Sequence, residues 1–107
     1  MPPSRTLDPA AMRRAAHRAV GSLKLLANED RLLLLCQLAG GEQCVGDLEE
    51  ALAIRQPTLS QQLGVLRRDG VVTTRRDGTN VYYRVADAKL LDILQLLDRL
   101  YCQGRNR

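Results

Sequence analysis

Apolar positions recur along this chain at helical spacing in five segments and alternate in a sixth. From Pro9 the segment "AAMRRAAHRAVGSLKLLA" puts Met12, Ala16, Val20, Leu23 and Leu26 on one side of a helix. "NEDRLLLLCQLAGG" predicts a second helix: Asn28 suits the N-cap, Glu29 and Asp30 suit the positive end of the dipole, and Gly40-Gly41 end it. "CVGDLEEAL" predicts a short third helix, with Cys44 where Ser or Thr would normally cap and Asp47 three residues later. A tight connection, "AIRQ", leads to Pro57, which suits a first helical turn. The fourth helix runs through "PTLSQQLGVLRRD" and stops at Gly70. "VVTTRRDGTNVYYRV" has two β-branched or aromatic runs around Asp77-Gly78, which predicts a β-hairpin turning there. Asp87 caps a last helix, "AKLLDILQLLDRLYC", whose stripe of Leu90, Leu94, Leu97 and Tyr101 is widened by Ile93 and Leu100.

The order helix, helix, short helix, helix, hairpin, helix predicts a mainly α fold with a small β-hairpin. A short helix, a tight turn, a polar-faced helix and a basic hairpin together form a winged helix-turn-helix. At 107 residues there is room for one small domain. It is expected over residues 10–103, with a flexible N-terminal tail at 1–9 and a C-terminal tail at 104–107. A core this modest gains from a second copy. The stripe of Leu90, Leu94, Leu97 and Tyr101 has no evident cover in so small a domain, which predicts a homodimer through it.

Composition narrows the function. Hydrophobic residues make up 45% of the chain, too many for disorder, and the abundance of Leu without Phe or Trp favours helix-on-helix packing. The net charge of +4 permits a polyanionic partner without demanding one. Of sixteen basic residues only Lys24 and Lys89 are lysine, and the arginine fork suits phosphate and guanine edges. No apolar run approaches the length of a membrane span, and the N-terminus lacks the apolar core of a signal peptide, so a cytoplasmic protein is expected. In that compartment Cys36, Cys44 and Cys102 are not a structural disulfide framework. A glycine-rich phosphate loop, a metal-ligand cluster and a nucleophile with an evident base are all missing, so neither an enzyme nor a cofactor is expected.

The second helix of a helix-turn-helix enters the DNA major groove, its N-terminal half reaching base edges. Setting Leu59, Leu63 and Leu66 inward turns Thr58, Gln61, Val65 and Arg68 outward, with Ser60 and Gln62 flanking and Gln56 at the start. Gln bonds adenine bidentately, and Ser or Thr bonds bases or phosphates. Arg75, Arg76 and, on the return strand, Arg84 would let the wing reach phosphates or the minor groove. A winged helix also serves as a protein-interaction module, and a steep salt dependence of DNA binding separates the two readings.

"QPTLSQQLGVLRRDGVVTTRRDGTNVYYRV" resembles the core of the ArsR–SmtB family of bacterial repressors, and the likeness runs from about Lys24 to Cys102. The resemblance implies a winged-helix homodimer whose first and last helices form the interface. It also implies an operator with dyad symmetry, released when an inducer reaches the repressor. Many members of the family sense metals. One type uses a CVCDL-like motif at the third helix, but here the segment is "CVGDL", with Gly46 at the second thiol position. A soft metal wants several converging thiolates, so Cys44 would need Cys36 or Cys102 to complete a metal or metalloid site. Another type uses His with Asp or Glu on its last helix, but "DAKLLDILQLLDRLYC" contains no His, and His17, the one histidine, lies on the first helix with no partner pattern.

Cys36 sits at the edge of the buried stripe of the second helix, and Cys102 ends the last helix. Each alone reads as a small buried hydrophobe. As a pair they are similar to the persulfide-sensing subgroup of the biofilm-growth-associated repressor type. That subgroup carries one cysteine on each of those helices and a recognition segment like "QPTLSQQLGVLR". The likeness implies that Cys36 and Cys102 are bridged by a persulfide or polysulfide inducer. Cys44 and Arg55 depart from the subgroup, which usually has Ser and often Gly there. A constitutive DNA binder with inert cysteines remains the alternative.

Overall fold

The computed structural model describes residues 8–102, which form α1 (Pro9–Leu26), α2 (Glu29–Ala39), β1 (Gln43–Cys44), α3 (Val45–Leu52), α4 (Gln56–Arg68), β2 (Val72–Asp77), β3 (Asn80–Val85) and α5 (Ala88–Leu97), followed by a π-helical turn at Asp98–Cys102. The fold is mostly helical with a three-stranded antiparallel sheet in the order β1-β3-β2. This is the predicted winged helix-turn-helix. The expected tails at 1–9 and 104–107 fall largely outside the described residues, and Pro9, assigned to the tail, is already helical.

Local chemistry explains most boundaries. The Asp8 carboxylate accepts from the Ala11 amide, and Pro9 supplies the fixed φ of a first turn. Asn28 caps α2 by accepting from the Arg31 amide, and Asp87 caps α5 by accepting from the amides of Lys89 and Leu90. Cys44 does occupy the N-cap of α3, with no side-chain hydrogen bond to the helix. The turn between α3 and α4 puts Ala53 in the left-handed region at φ 55°, which a residue with a Cβ enters at a cost.

The core is almost pure aliphatic packing. Leu34, Leu35 and Leu38 of α2, Leu48 of α3, and Leu59, Leu63 and Leu66 of α4 meet Val72, Val85, Leu90 and Leu94. Among the described residues no polar or charged residue is buried. The recognition helix is therefore held by three leucines on one face, leaving its other face to carry chemistry.

Four details differ from the pattern expected. The hairpin turns at Gly78-Thr79, one residue later than Asp77-Gly78, because Asp77 pairs with Asn80. Gly78, at φ 65°, takes the left-handed first central position that glycine favours in a two-residue turn. Gln43-Cys44 forms a third short strand against Tyr82-Tyr83. The last helix runs to Cys102 as expected but changes from α to π geometry at Asp98. Finally, Leu90 and Leu94 are not an uncovered stripe: at 1% and 2% exposure they are already buried in the protomer core. Leu97 is half-buried against that core. The apolar surface left open by the last helix is instead Leu96, Leu100 and Tyr101. On α1, Met12, Val20 and Leu23 are also exposed, and only Leu25 and Leu26 of that helix are buried.

Candidate DNA interface and thiol pair

With Leu59, Leu63 and Leu66 facing the core, α4 leaves Gln56, Ser60, Gln61 and Arg68 exposed and Thr58 partly so. Ser60 Oγ donates to Gln56 Oε1 at 3.4 Å, one turn earlier on the same face. Val65, expected outward, packs half-buried against the core. Gln62 is half-buried too, and its Oε1 accepts from Arg31 Nη1 of α2 at 3.3 Å. It is thus engaged inside the protein, unlike its exposed neighbour Gln61.

The wing divides its arginines between two faces. Arg75 stands opposite Tyr82 and Thr73 opposite Arg84, so Arg75 and Arg84 share one face of the sheet. Arg76, opposite Val81, lies on the other face, beyond the point where Val72 and Val85 enter the core. Arg76 and Arg84 are exposed. Arg75 is braced. Its Nε lies 3.1 Å from both carboxylate oxygens of Glu42, its Nη2 lies 2.6 Å from Oε1, and its guanidinium sits 4.8 Å from the centre of the Tyr82 ring. Hydrogen bonding from Arg75 holds the Glu42 carboxyl below the usual carboxylate range, and the same pairing pushes Arg75 further up. Glu42 thus holds the Nε and Nη2 donors of Arg75, while Nη1 lies 3.8 Å from Asp77 Oδ2.

Cys36 and Cys102 lie on different elements, α2 and the π-turn after α5. Cys36 lines a cleft of about 340 Å³ together with Ala39, Gly40, Leu94, Gln95 and Asp98. Cys36 and Cys102 are both exposed, not the small buried hydrophobes that each alone suggested. Partial desolvation still raises the Cys36 thiol above the ordinary value of 9.0, and the negative charges of Cys102 and Asp98 add to the rise. Cys102, far away in sequence, is thus near enough for its charge to act on Cys36. Cys44 is elsewhere, half-buried on β1 opposite Tyr82. All three are thiols rather than disulfides. Among the described residues no group of three or more His, Cys, Asp or Glu side chains gathers as a metal would need. His17 is exposed beside Arg13, Arg14 and Arg18. No helix among the described residues is long and apolar enough to cross a membrane.

Three participants were not anticipated from the sequence: Arg31, Glu42 and Asp98. Arg31 left a faint signal. It stands in the first turn of α2, where the helix dipole disfavours a cation, so its charge had to serve something other than its own helix. Glu42 and Asp98 act only through chain pairings the sequence does not display.

Residues 28–74 match the model of the family described as bacterial regulatory protein, arsR family. The chain is 50% identical over 94 residues to the biofilm growth-associated repressor of Agrobacterium fabrum, covering 88% of this chain and 80% of that one. It is 44% identical over 93 residues to the transcriptional activator HlyU of Vibrio cholerae, covering 87% and 86%. The crystal structure of the transcriptional repressor BigR from Xylella fastidiosa superposes with a TM-score of 0.82 at 42% identity, covering 90% of this chain and 98% of that one.

Proposed function

The chain belongs to the ArsR family of bacterial regulatory proteins, and we propose that it is a homodimeric transcriptional repressor that releases its operator when reactive sulfur bridges Cys36 to Cys102. For the DNA half, the supporting feature is the exposed face of α4. Thr58, Ser60 and Gln61 read base edges from the major groove, Gln56 and Arg68 bind at its margins, and Arg76 and Arg84 take phosphates from the wing. The work is done in the cytoplasm, where the operator lies.

The second copy covers the apolar surface that one protomer leaves open. Met12, Val20 and Leu23 of α1 with Leu96, Leu100 and Tyr101 of the last helix are too many large apolar side chains for a wet surface. Leu97 lies at the margin of this patch. Leu90 and Leu94 support it from beneath. A two-fold dimer must set its recognition helices to half-sites about 34 Å apart, so a small change in the last helix breaks register.

For the sensor half, the feature that supports the reading is the cleft between α2 and α5 that Cys36 lines, with Cys102 near enough for its charge to act on that thiol. One thiolate attacks a sulfane sulfur of a polysulfide. The adjoining sulfur–sulfur bond breaks, a shorter polysulfide anion leaves, and the cysteine becomes a persulfide. The second thiolate attacks the inner sulfur of that persulfide and expels hydrosulfide. The two thiols are oxidised to a bridge while the polysulfide is reduced. Attack further along a longer sulfur chain keeps extra sulfur in the bridge, which relaxes the limit of about 7 Å between Cα atoms that a plain disulfide imposes. The bridge ties α2 to the π-turn and so constrains the dimer-forming helix. Cys44 is dispensable.

The test uses a duplex that the reduced protein itself selects from a random pool, followed by fluorescence anisotropy. Reduced protein binds it with a steep loss of affinity as salt rises, and polysulfide releases it. Failure to select any duplex contradicts the DNA reading, and selection without release contradicts the sensor.

A further inference from the structure

On the DNA-binding reading above, we infer that Arg31 is the positioning residue of the recognition helix, and that Gln62 is the point it holds and not a reader of bases. The guanidinium of Arg31 spans three helices. Its Nε donates to the Leu25 carbonyl at 2.8 Å and its Nη2 to the Lys24 carbonyl at 3.2 Å. Both carbonyls belong to the last turn of α1, where intrahelical acceptors run out and the dipole is negative. That helix ends without a glycine: Ala27 is its C-cap, bonded only through its own amide to Lys24. Arg31 thus supplies from outside the cap that the local sequence lacks. The remaining arm, Nη1, donates to Gln62 Oε1 on α4.

The consequence is a rigid link between the arm that meets the second protomer and the helix that meets DNA. A planar fork with five donors fixes direction as well as distance, which a lysine does not do. Gln62 lies on α4 one position beyond the exposed Gln61, at the edge where the helix turns back toward the core. Its amide oxygen, one of the two groups a glutamine needs to read adenine bidentately, accepts from Arg31, which turns it toward α2. The pitch and axial rotation of α4 in the groove, and hence the aim of Gln61, follow from this contact as well as from the leucine face.

Three substitutions test it: Gln62→Met, which keeps length and removes the acceptor, Gln62→Glu, which keeps an acceptor for Arg31, and Arg31→Ala. Affinity and base preference are measured on duplexes selected by the wild-type protein, at a temperature where urea melts show each variant fully folded. Gln62→Met should lose about tenfold in affinity with its base preferences unchanged, the loss of one hydrogen bond to a charged group. Gln62→Glu should stay within about threefold of wild type, again with unchanged preferences. Arg31→Ala should lose at least as much as Gln62→Met, and the double variant should lose no more than Arg31→Ala alone, because the two residues act through one contact. A shift of Gln62→Glu toward cytosine at one operator position, or a relaxed position in Gln62→Met, would show that Gln62 reads a base and overturn the inference. Additive losses would overturn it too. Should Arg31→Ala fail to fold, the two Gln62 variants decide alone. A wild-type protein that selects no duplex fails at the earlier step, the DNA reading, so the two failures are distinguishable.

Discussion

The two sides of α2 treat charge in opposite ways. Toward α1 and α4, the cation of Arg31 meets only oxygens, the carbonyls of Lys24 and Leu25 and the amide of Gln62. About 140° around the same helix, five residues on, Cys36 meets Cys102 and Asp98, so a negative charge on its thiol would face negative charge. The first side holds the molecule in one pose. The second disfavours a thiolate and so keeps the Cys36 thiol in its neutral form at neutral pH. The difference teaches what charge does on each side: matched charge fixes the helix against its neighbours, and neighbouring negative charge holds a thiol neutral.

The largest effect on this comparison comes from the core that carries both sides. Leu63→Ala, at a residue 1% exposed, should cost about 2–5 kcal/mol in urea unfolding and weaken DNA binding and thiol response together. Next, Gln61→Ala should cost about 1–3 kcal/mol on the selected duplex and relax preference at one base pair, with little change on random DNA. Equal losses on both would remove Gln61 from base readout. Arg76→Ala should weaken both kinds of DNA and lower the salt slope by about one unit. Arg75→Ala should do less to the slope, since Glu42 already occupies its fork.

The reading side was largely legible in the sequence because its information is local. Leu59, Leu63 and Leu66 at helical spacing determine which residues of α4 are inward, and a two-residue turn fixes the wing. What escaped was non-local. The pairing of Glu42 with Arg75 joins positions 33 apart, and the capture of Gln62 by Arg31 joins positions 31 apart. Neither leaves a periodic trace. The side that carries Cys36 and Cys102 was legible only as two cysteines on two helices. Their proximity, the burial of Leu90 and Leu94 within one protomer, and the departure from α geometry at Asp98 all depend on how α5 packs on α2. The stripe on the last helix pointed correctly to an apolar face but could not say which part the protomer itself covers.

Two smaller effects sharpen the picture. Ala53→Gly should stabilise the fold by about 0.5 kcal/mol: relief of the left-handed backbone, about 1–2 kcal/mol, outweighs the chain-entropy cost of glycine, about 0.5–1 kcal/mol. The smallest concerns pH. Because the folded state raises the Cys36 thiol, its contribution to stability is present at neutral pH and is lost as pH rises through the folded value, above 9.0. Its thiolate chemistry accelerates over the same interval. Asp98→Asn removes one of the two neighbouring negative charges, so the pH profile of bridging should move modestly to lower pH, burial still contributing the larger part. A profile that moves the other way would contradict the placement of Asp98 beside Cys36.

The central claim is that Cys36 and Cys102, and not Cys44, form the switch. Intact-mass spectrometry and operator anisotropy on the same polysulfide-treated samples test it most directly, for wild type and for Cys36→Ser, Cys102→Ser and Cys44→Ser. Wild type and Cys44→Ser should show one bridge per protomer, as a loss of two hydrogens with or without added sulfur, and should release the duplex. Cys36→Ser and Cys102→Ser should bind when reduced and stay bound after treatment. Release that survives in Cys36→Ser and disappears in Cys44→Ser would contradict the assignment and move the switch to the thiol at the start of α3.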